Sequence, residues 1–220
     1  MSKLVLPVRK FICVKTMAKV STVTQMDLSG GAACLDFVNT ALELDVPVER
    51  LHRYQDLLIL TRRLGLLDAA TLARLEQLAE ADPKRADWVL YQAREVRQSM
   101  LVVFAALVKG ELETVPATAL LAFNRYLHEA LTNRGFLRQA DKLVLGWADS
   151  QPDLLLTVWL YSLSAYELLT SQDQTLIKQC GACAWYFLDT TKNHRRKWCA
   201  MPGCGANEKA RRYYQRKKQV

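Results

Sequence analysis

Residues 180–204 read CGACAWYFLDTTKNHRRKWCAMPGC. Cys180 and Cys183 form a C-x2-C pair and Cys199 and Cys204 a C-x4-C pair, with fifteen residues between them. Two close pairs of thiolate donors across a short spacer are a four-sulfur tetrahedral cage for one Zn2+. Four sulfurs fill the coordination shell, so the metal is structural, and His194 in the spacer is left as a surface residue. Gly181 is expected to permit the tight knuckle. Residues 184–188 and 195–198 are expected to pair as a hairpin that delivers Cys199. Met201-Pro202-Gly203 then turns the chain, and Cys204 opens a helix over 205–218. Knuckle, hairpin and helix in that order make a treble-clef finger. A unit so small draws most of its folding energy from the metal, on the order of 10–16 kcal/mol in comparable peptides.

Charge divides the chain at the same place. Residues 178–220 hold 11 Lys and Arg against 2 acids, a net of +9, whereas residues 1–177 net −1. Four thiolates around Zn2+ remove about two of those charges and leave a strongly basic end, which points to a polyanion. The expected helix interleaves Lys209, Arg211, Arg212 and Arg216 with Tyr213 and Tyr214. Lys209, Arg212 and Arg216 fall on one stripe, and Asn207 and Arg211 on a second. With Arg195 and Arg196 from the spacer, these are the candidate nucleic-acid contacts.

The remaining 170 or so residues read as mainly helical with a small β element. Helices are expected over 33–44, 53–64, 68–80, 83–109, 116–132 and 154–170. The third and fourth start on Asp68 and on Asp82-Pro83, and the second and fourth stop at Gly65 and Gly110. Residues 136–139 and 142–147 are the one expected strand pair in this body. Residues 1–26 are expected to be a loose basic arm, 27–172 the body and 178–220 the finger. The stretch 154–169 is the most apolar, but it carries Thr157, Ser162, Ser164 and Glu167 and is too short to span a bilayer. Only Cys13 and Cys34 stand outside the metal spacing, which favours a reducing compartment. A cytoplasmic protein without a membrane partner is expected.

Two segments carry a resemblance. Cys34-Leu35-Asp36-Phe37-Val38-Asn39-Thr40 resembles the opening signature of the ABATE domain. Cys180, Cys183, Trp185, Phe187-Leu188-Asp189-Thr190, Asn193, Arg196, Trp198-Cys199, Met201, Cys204-Gly205 and Lys209 resemble the CGNR zinc finger. The likeness spans residues 27–218 and implies a stress-induced bacterial transcriptional regulator. One departure stands out. The tetrad after which that finger is named is Cys-Gly-Asn-Arg, and here Cys204-Gly205-Ala206-Asn207 lacks the arginine. If that arginine contacts phosphate or base in relatives, this chain must use Lys209, Arg211 or Arg212 instead.

No nucleophile–base pair or open metal site appears, so no enzyme is expected. Ser29-Gly30-Gly31 lacks the lysine and spacing of a phosphate loop. Asp36 and Asn39, three apart on a helix, could meet a small-molecule effector or act within the fold. Trp147, Trp159, Tyr161 and Tyr166 could line a pocket or form core. The expected function is DNA binding through a zinc finger, with a homodimer supplying a larger footprint and the helix around Met100 as one face for it. The rival reading is an RNA-binding or protein-interaction module, in which Trp185, Tyr213 and Tyr214 stack on bases.

Overall fold

The computed structural model describes residues 21–43, 46–147 and 153–217. Seven α-helices and six short strands in these residues make a helical body with the cysteine unit built onto it.

The body begins earlier than the sequence pattern indicates. Thr22–Met26 forms a tight turn, with Gln25 and Met26 N–H groups donating to the Thr22 carbonyl. Val23 and Met26 are buried in the core. The end of the expected arm is therefore structural, because two apolar side chains at i and i+3 find a hydrophobic surface to cover. Residues 1–20 of that arm lie outside the described residues.

Helix α1 (Ala33–Asn39) is shorter than expected. It gives way to a small hairpin, β1 (Leu42–Glu43) against β2 (Val46–Pro47). Helix α2 (Tyr54–Arg63) starts where Asp56 accepts from the His52 and Arg53 N–H groups at 2.8 and 3.0 Å. Gly65 follows with φ 65°, a left-handed stop. In α3 (Ala69–Ala81) the Asp68 side chain accepts from Thr71 N–H, and in α4 (Pro83–Lys109) Asp82 does the same for Arg85. Gly110, φ 73°, ends α4. Helix α5 spans Ala117–Thr132. The hairpin β3 (Arg134–Gln139) and β4 (Lys142–Trp147) follows, paired from Arg134↔Trp147 to Gln139↔Lys142.

Helix α6 (Leu156–Ser171) is the centre of the body and packs on α1, α2, α4 and α5. It is apolar on nearly every side because it is surrounded by protein, not lipid. No helix among the described residues is long and apolar enough to cross a membrane. Tyr161 stacks on Phe37 with ring centroids 4.2 Å apart and meets the Thr61 hydroxyl at 3.0 Å. Trp147 stacks on Trp159, and Tyr166 is exposed. The four aromatics are thus divided between core, hairpin foot and surface. Met100 is fully buried, so that stripe of α4 is core and is closed to a second copy.

The cysteine unit departs most from expectation. Strand β6 (Tyr186–Leu188) pairs with β5 (Ile177–Gln179), ahead of the first cysteine. Residues 195–198 form no strand. A strand upstream of the knuckle is the better partner because it is apolar at Ile177 and already lies on α4. A π-type turn (Met201–Gly205) then leads into α7 (Ala206–Lys217).

Candidate metal centre and nucleic-acid interface

The knuckle sits at the tip of the β5–β6 hairpin. Cys180 N–H donates to the Trp185 carbonyl at 2.8 Å, and Ala184 N–H to the Cys180 carbonyl at 3.1 Å. The left-handed residue here is Ala184, φ 63°, and Gly181 has no positive φ. Gly181 instead donates its N–H to the Lys197 carbonyl at 3.2 Å, which draws the second half of the loop toward the first pair.

That loop is organised by Asp189, which is fully buried. Its carboxylate accepts from Lys178 Nζ at 2.6 Å, Thr191 Oγ1 at 2.6 Å, Arg196 N–H at 2.9 Å and Thr191 N–H at 3.1 Å. These donors hold it far below the ordinary carboxylate range against the opposing effect of burial. Arg196 turns inward. Its Nε donates to the Trp198 carbonyl at 2.9 Å, its Nη2 to the Cys199 carbonyl, and its guanidinium lies 4.7 Å from the Phe187 ring centre. It braces Cys199, and although the residue is half-exposed its Nε and Nη2 are taken up by the loop.

The four sulfurs of Cys180, Cys183, Cys199 and Cys204 lie within 4.8 Å of one another. Cys183 and Cys199 sulfurs are 3.5 Å apart, and Cys199 and Cys204 sulfurs 3.6 Å. A tetrahedron with Zn–S bonds of about 2.3 Å has edges of about 3.8 Å, so the set fits Zn2+. All four are thiols and none is in a disulfide. Four sulfurs this close cannot all carry negative charge without a cation among them. One divalent ion holds all four as thiolates. The body adds Ser29, whose buried hydroxyl has no oxygen or nitrogen partner and lies beside the Cys199 sulfur.

The body and the cysteine unit are joined by Asn39. Its Nδ2 donates to the Tyr186 carbonyl at 2.9 Å, and its Oδ1 accepts from Tyr186 N–H at 2.8 Å. A side-chain amide thereby completes the free edge of β6. Leu188 N–H donates to the Gly30 carbonyl at 2.8 Å, and Trp185 Nε1 to the Leu42 carbonyl at 2.8 Å. Asp36 accepts from Gly30 N–H at 2.9 Å. A Cβ on Gly30 would stand 2.8 Å from the Asp36 nitrogen, which is why the segment needs glycine. Asp36 and Asn39 are both buried in this joint. The structure places them in the fold and not on a ligand-facing surface. Trp185, buried and hydrogen-bonded, is not presented for base stacking.

Helix α7 has no buried residue. Arg195, Asn207, Lys209 and Arg216 are exposed, and none has an ion-pair partner among the described residues. Arg211 and Arg212 share Glu208, at 2.8 and 3.0 Å, and their hydrogen bonds, with their charges, hold the Glu208 carboxyl down at about 2. Lys217 lies 5.0 Å from the centre of the Tyr213 ring. The structure thus brings the four metal ligands together, leaves Arg195, Asn207, Lys209 and Arg216 on the surface, and divides the rest. Glu208 and Ser29 lie outside the matched motifs, and Asp189, although within one, carries no assigned role there. The Asp-Thr-Thr run after a strand was the available sign for Asp189, and nothing local marks Ser29.

Residues 31–172 match the family model described as "Putative stress-induced transcription regulator", ABATE, and residues 177–217 match the CGNR zinc finger. The chain belongs to the ABATE family. Its CGNR finger begins at Ile177, so the match takes in β5 as well as the cysteines. No curated protein matches the chain. The ABATE body and the CGNR finger are separate family models, yet here their buried side chains form one hydrophobic core running from Val23 through Phe37 and Tyr161 to Phe187 and Cys199.

Proposed function

We propose that the chain is a zinc-stabilised, DNA-binding transcription regulator that acts in the cytoplasm, and that α7 with the adjoining loop is its DNA contact. One observation carries this reading: a basic helix with no buried residue stands on a four-cysteine centre. Such a helix has no packing reason to exist in isolation, since an apolar face usually holds a surface helix in place. Metal at its first turn and a polyanion along its length supply what packing does not. Lys209, Arg216 and Arg195 are the primary phosphate contacts, and Asn207 is placed at the leading end where a base edge is within reach. Arg211 and Arg212 contribute less, because Glu208 holds both. The body binds the effector that sets activity, and no catalytic step is involved. A homodimer supplies the footprint that a single finger lacks.

Fluorescence anisotropy of the zinc-loaded chain on random duplex DNA tests this across a salt series. Affinity should fall with a log–log slope of about −0.9 per phosphate neutralised, and Lys209→Ala with Arg216→Ala should reduce the slope by about 2. Salt-independent binding, or none at low salt, would overturn the reading. Tighter binding to single-stranded RNA than to duplex DNA would favour the rival, although only Tyr213 and Tyr214 of its three aromatics are exposed.

A further inference from the structure

A cleft of about 660 Å³ lies between the body and the finger. That volume is in the range of small-molecule sites. One wall is α6, through Leu160, Leu163, Ser164 and Leu168. The opposite wall is Leu188, the last residue of β6, and Thr190. The floor is small, at Gly31, Ala32 and Ala33.

Three features define the chemistry. The first is Arg134 at the start of β3, which lines the cleft and has a buried Nε–H with no acceptor. Its Nη2 reaches only the Leu145 carbonyl, at 3.2 Å, and its guanidinium is steadied by Trp147 at 5.2 Å. A buried donor on a cation calls for an acceptor, and an anionic one satisfies it best. The second is Ser164. Its Oγ accepts from Cys34 N–H at 3.0 Å and its hydroxyl also engages the Cys34 side chain, so it lines the cleft as a polar wall. The third is the leucine lining, which favours an apolar body. Glu167 at the exposed rim opposes a second negative charge.

We propose that this cleft binds a small, largely apolar monocarboxylate, with the carboxylate on Arg134 and the apolar part among the leucines. Its occupant is the effector of the regulator described above, and in that respect the proposal rests on the DNA-binding reading. The route to the finger is short. Thr190 adjoins Asp189, whose carboxylate holds Thr191 and the Arg196 backbone, and Arg196 holds the Cys199 carbonyl. A ligand that packs on Leu188 and Thr190 therefore bears on the loop that sets the second cysteine pair.

The test is isothermal titration calorimetry on the full zinc-loaded chain with octanoate and phenylacetate, each against its uncharged amide. Saturable binding of an acid at one per chain, at least about tenfold tighter than its amide, is expected. Arg134→Gln should remove that preference and Arg134→Lys should restore part of it. Ala33→Leu should exclude the ligand by filling the floor. Circular dichroism of each variant separates loss of binding from loss of fold. Absence of binding by both acids near 1 mM, or an unchanged acid preference in a folded Arg134→Gln, would overturn the proposal. DNA anisotropy is measured separately. Acid binding with no DNA binding would overturn the regulator reading and uphold the cleft, whereas DNA binding without acid binding would do the reverse.

Discussion

The two halves of the zinc finger are held by different forces. Strands β5 and β6 carry Ile177, Tyr186, Phe187 and Leu188 into the body, where all four are buried. Their edge is closed by Asn39 and Gly30. Helix α7 has no buried residue, and its main contact with another element is the turn that carries Cys204. Hydrophobic burial and hydrogen bonding secure the first half, whereas the second, with no buried residue of its own, depends chiefly on the metal at Cys204. The finger is therefore a body-anchored hairpin to which zinc attaches an exposed basic helix.

Removing the metal should break this comparison most strongly. In Cys204→Ser, or after chelation, α7 and residues 189–199 should lose hydrogen-exchange protection, with a loss of metal-dependent stability on the order of 10 kcal/mol. The β5–β6 hairpin should stay protected with the body. Loss of protection throughout the body would show that zinc holds both halves.

Asn39→Ala attacks the anchored half. It leaves the Tyr186 N–H and carbonyl buried without partners, at a cost of about 2–4 kcal/mol. A fall in Tm of roughly 5–15 °C is expected in a thermal melt. Zinc affinity should weaken in parallel, since the knuckle is the tip of the same hairpin. An unchanged zinc affinity would mean that the metal site folds independently of its anchor.

Two buried aspartates give the regions opposite pH responses. Burial pushes Asp36 up to about 6 against an ordinary 3.8, and the hydrogen bond from Gly30 offsets only part of that. A raised acid favours the folded state below its unfolded pKa, and the advantage is lost as pH rises through about 6. Asp189 is held down by its donors, so its contribution is present above the unfolded pKa and lost as pH falls. Asp36→Asn, which keeps an acceptor for Gly30, should stabilise the body by about 1–3 kcal/mol at pH 7 and by little at pH 4. Asp189→Asn should do the opposite and lower stability at pH 7. Urea unfolding of each variant against the parent chain at the two pH values is the measurement.

The smallest effect is at the knuckle. Ala184 has φ 63°, where a Cβ is strained. Ala184→Gly should raise stability by about 0.5–1 kcal/mol, read from the urea midpoint. A decrease would mean that the Ala184 side chain contributes packing that outweighs the strain.

Much of the fold was legible because its signals are local. Asp68, Asp82-Pro83, Gly65 and Gly110 mark helix ends through one or two residues each, and the structure places the ends there. The polar turn between β3 and β4 was equally plain. The β5–β6 pairing was not, because a three-residue strand such as Ile177–Gln179 carries too little periodicity to be distinguished from a connector. From spacing alone Asn39 could meet a ligand or act within the fold. Its partner is 147 positions away, and nothing in local spacing encodes that. Arg196 looked like one more surface cation, since charge alone does not separate a phosphate contact from a residue that cross-braces a loop.

By itself the sequence determined the metal donors, the helix ends marked by Asp68, Asp82-Pro83, Gly65 and Gly110, and the placement of charge, all consequences of residue chemistry and short-range spacing. Tertiary structure decided which hairpin forms, which cations reach solvent and that body and finger share one core. Those outcomes depend on burial and on polar partners far apart in the chain, which come together only when the whole molecule folds.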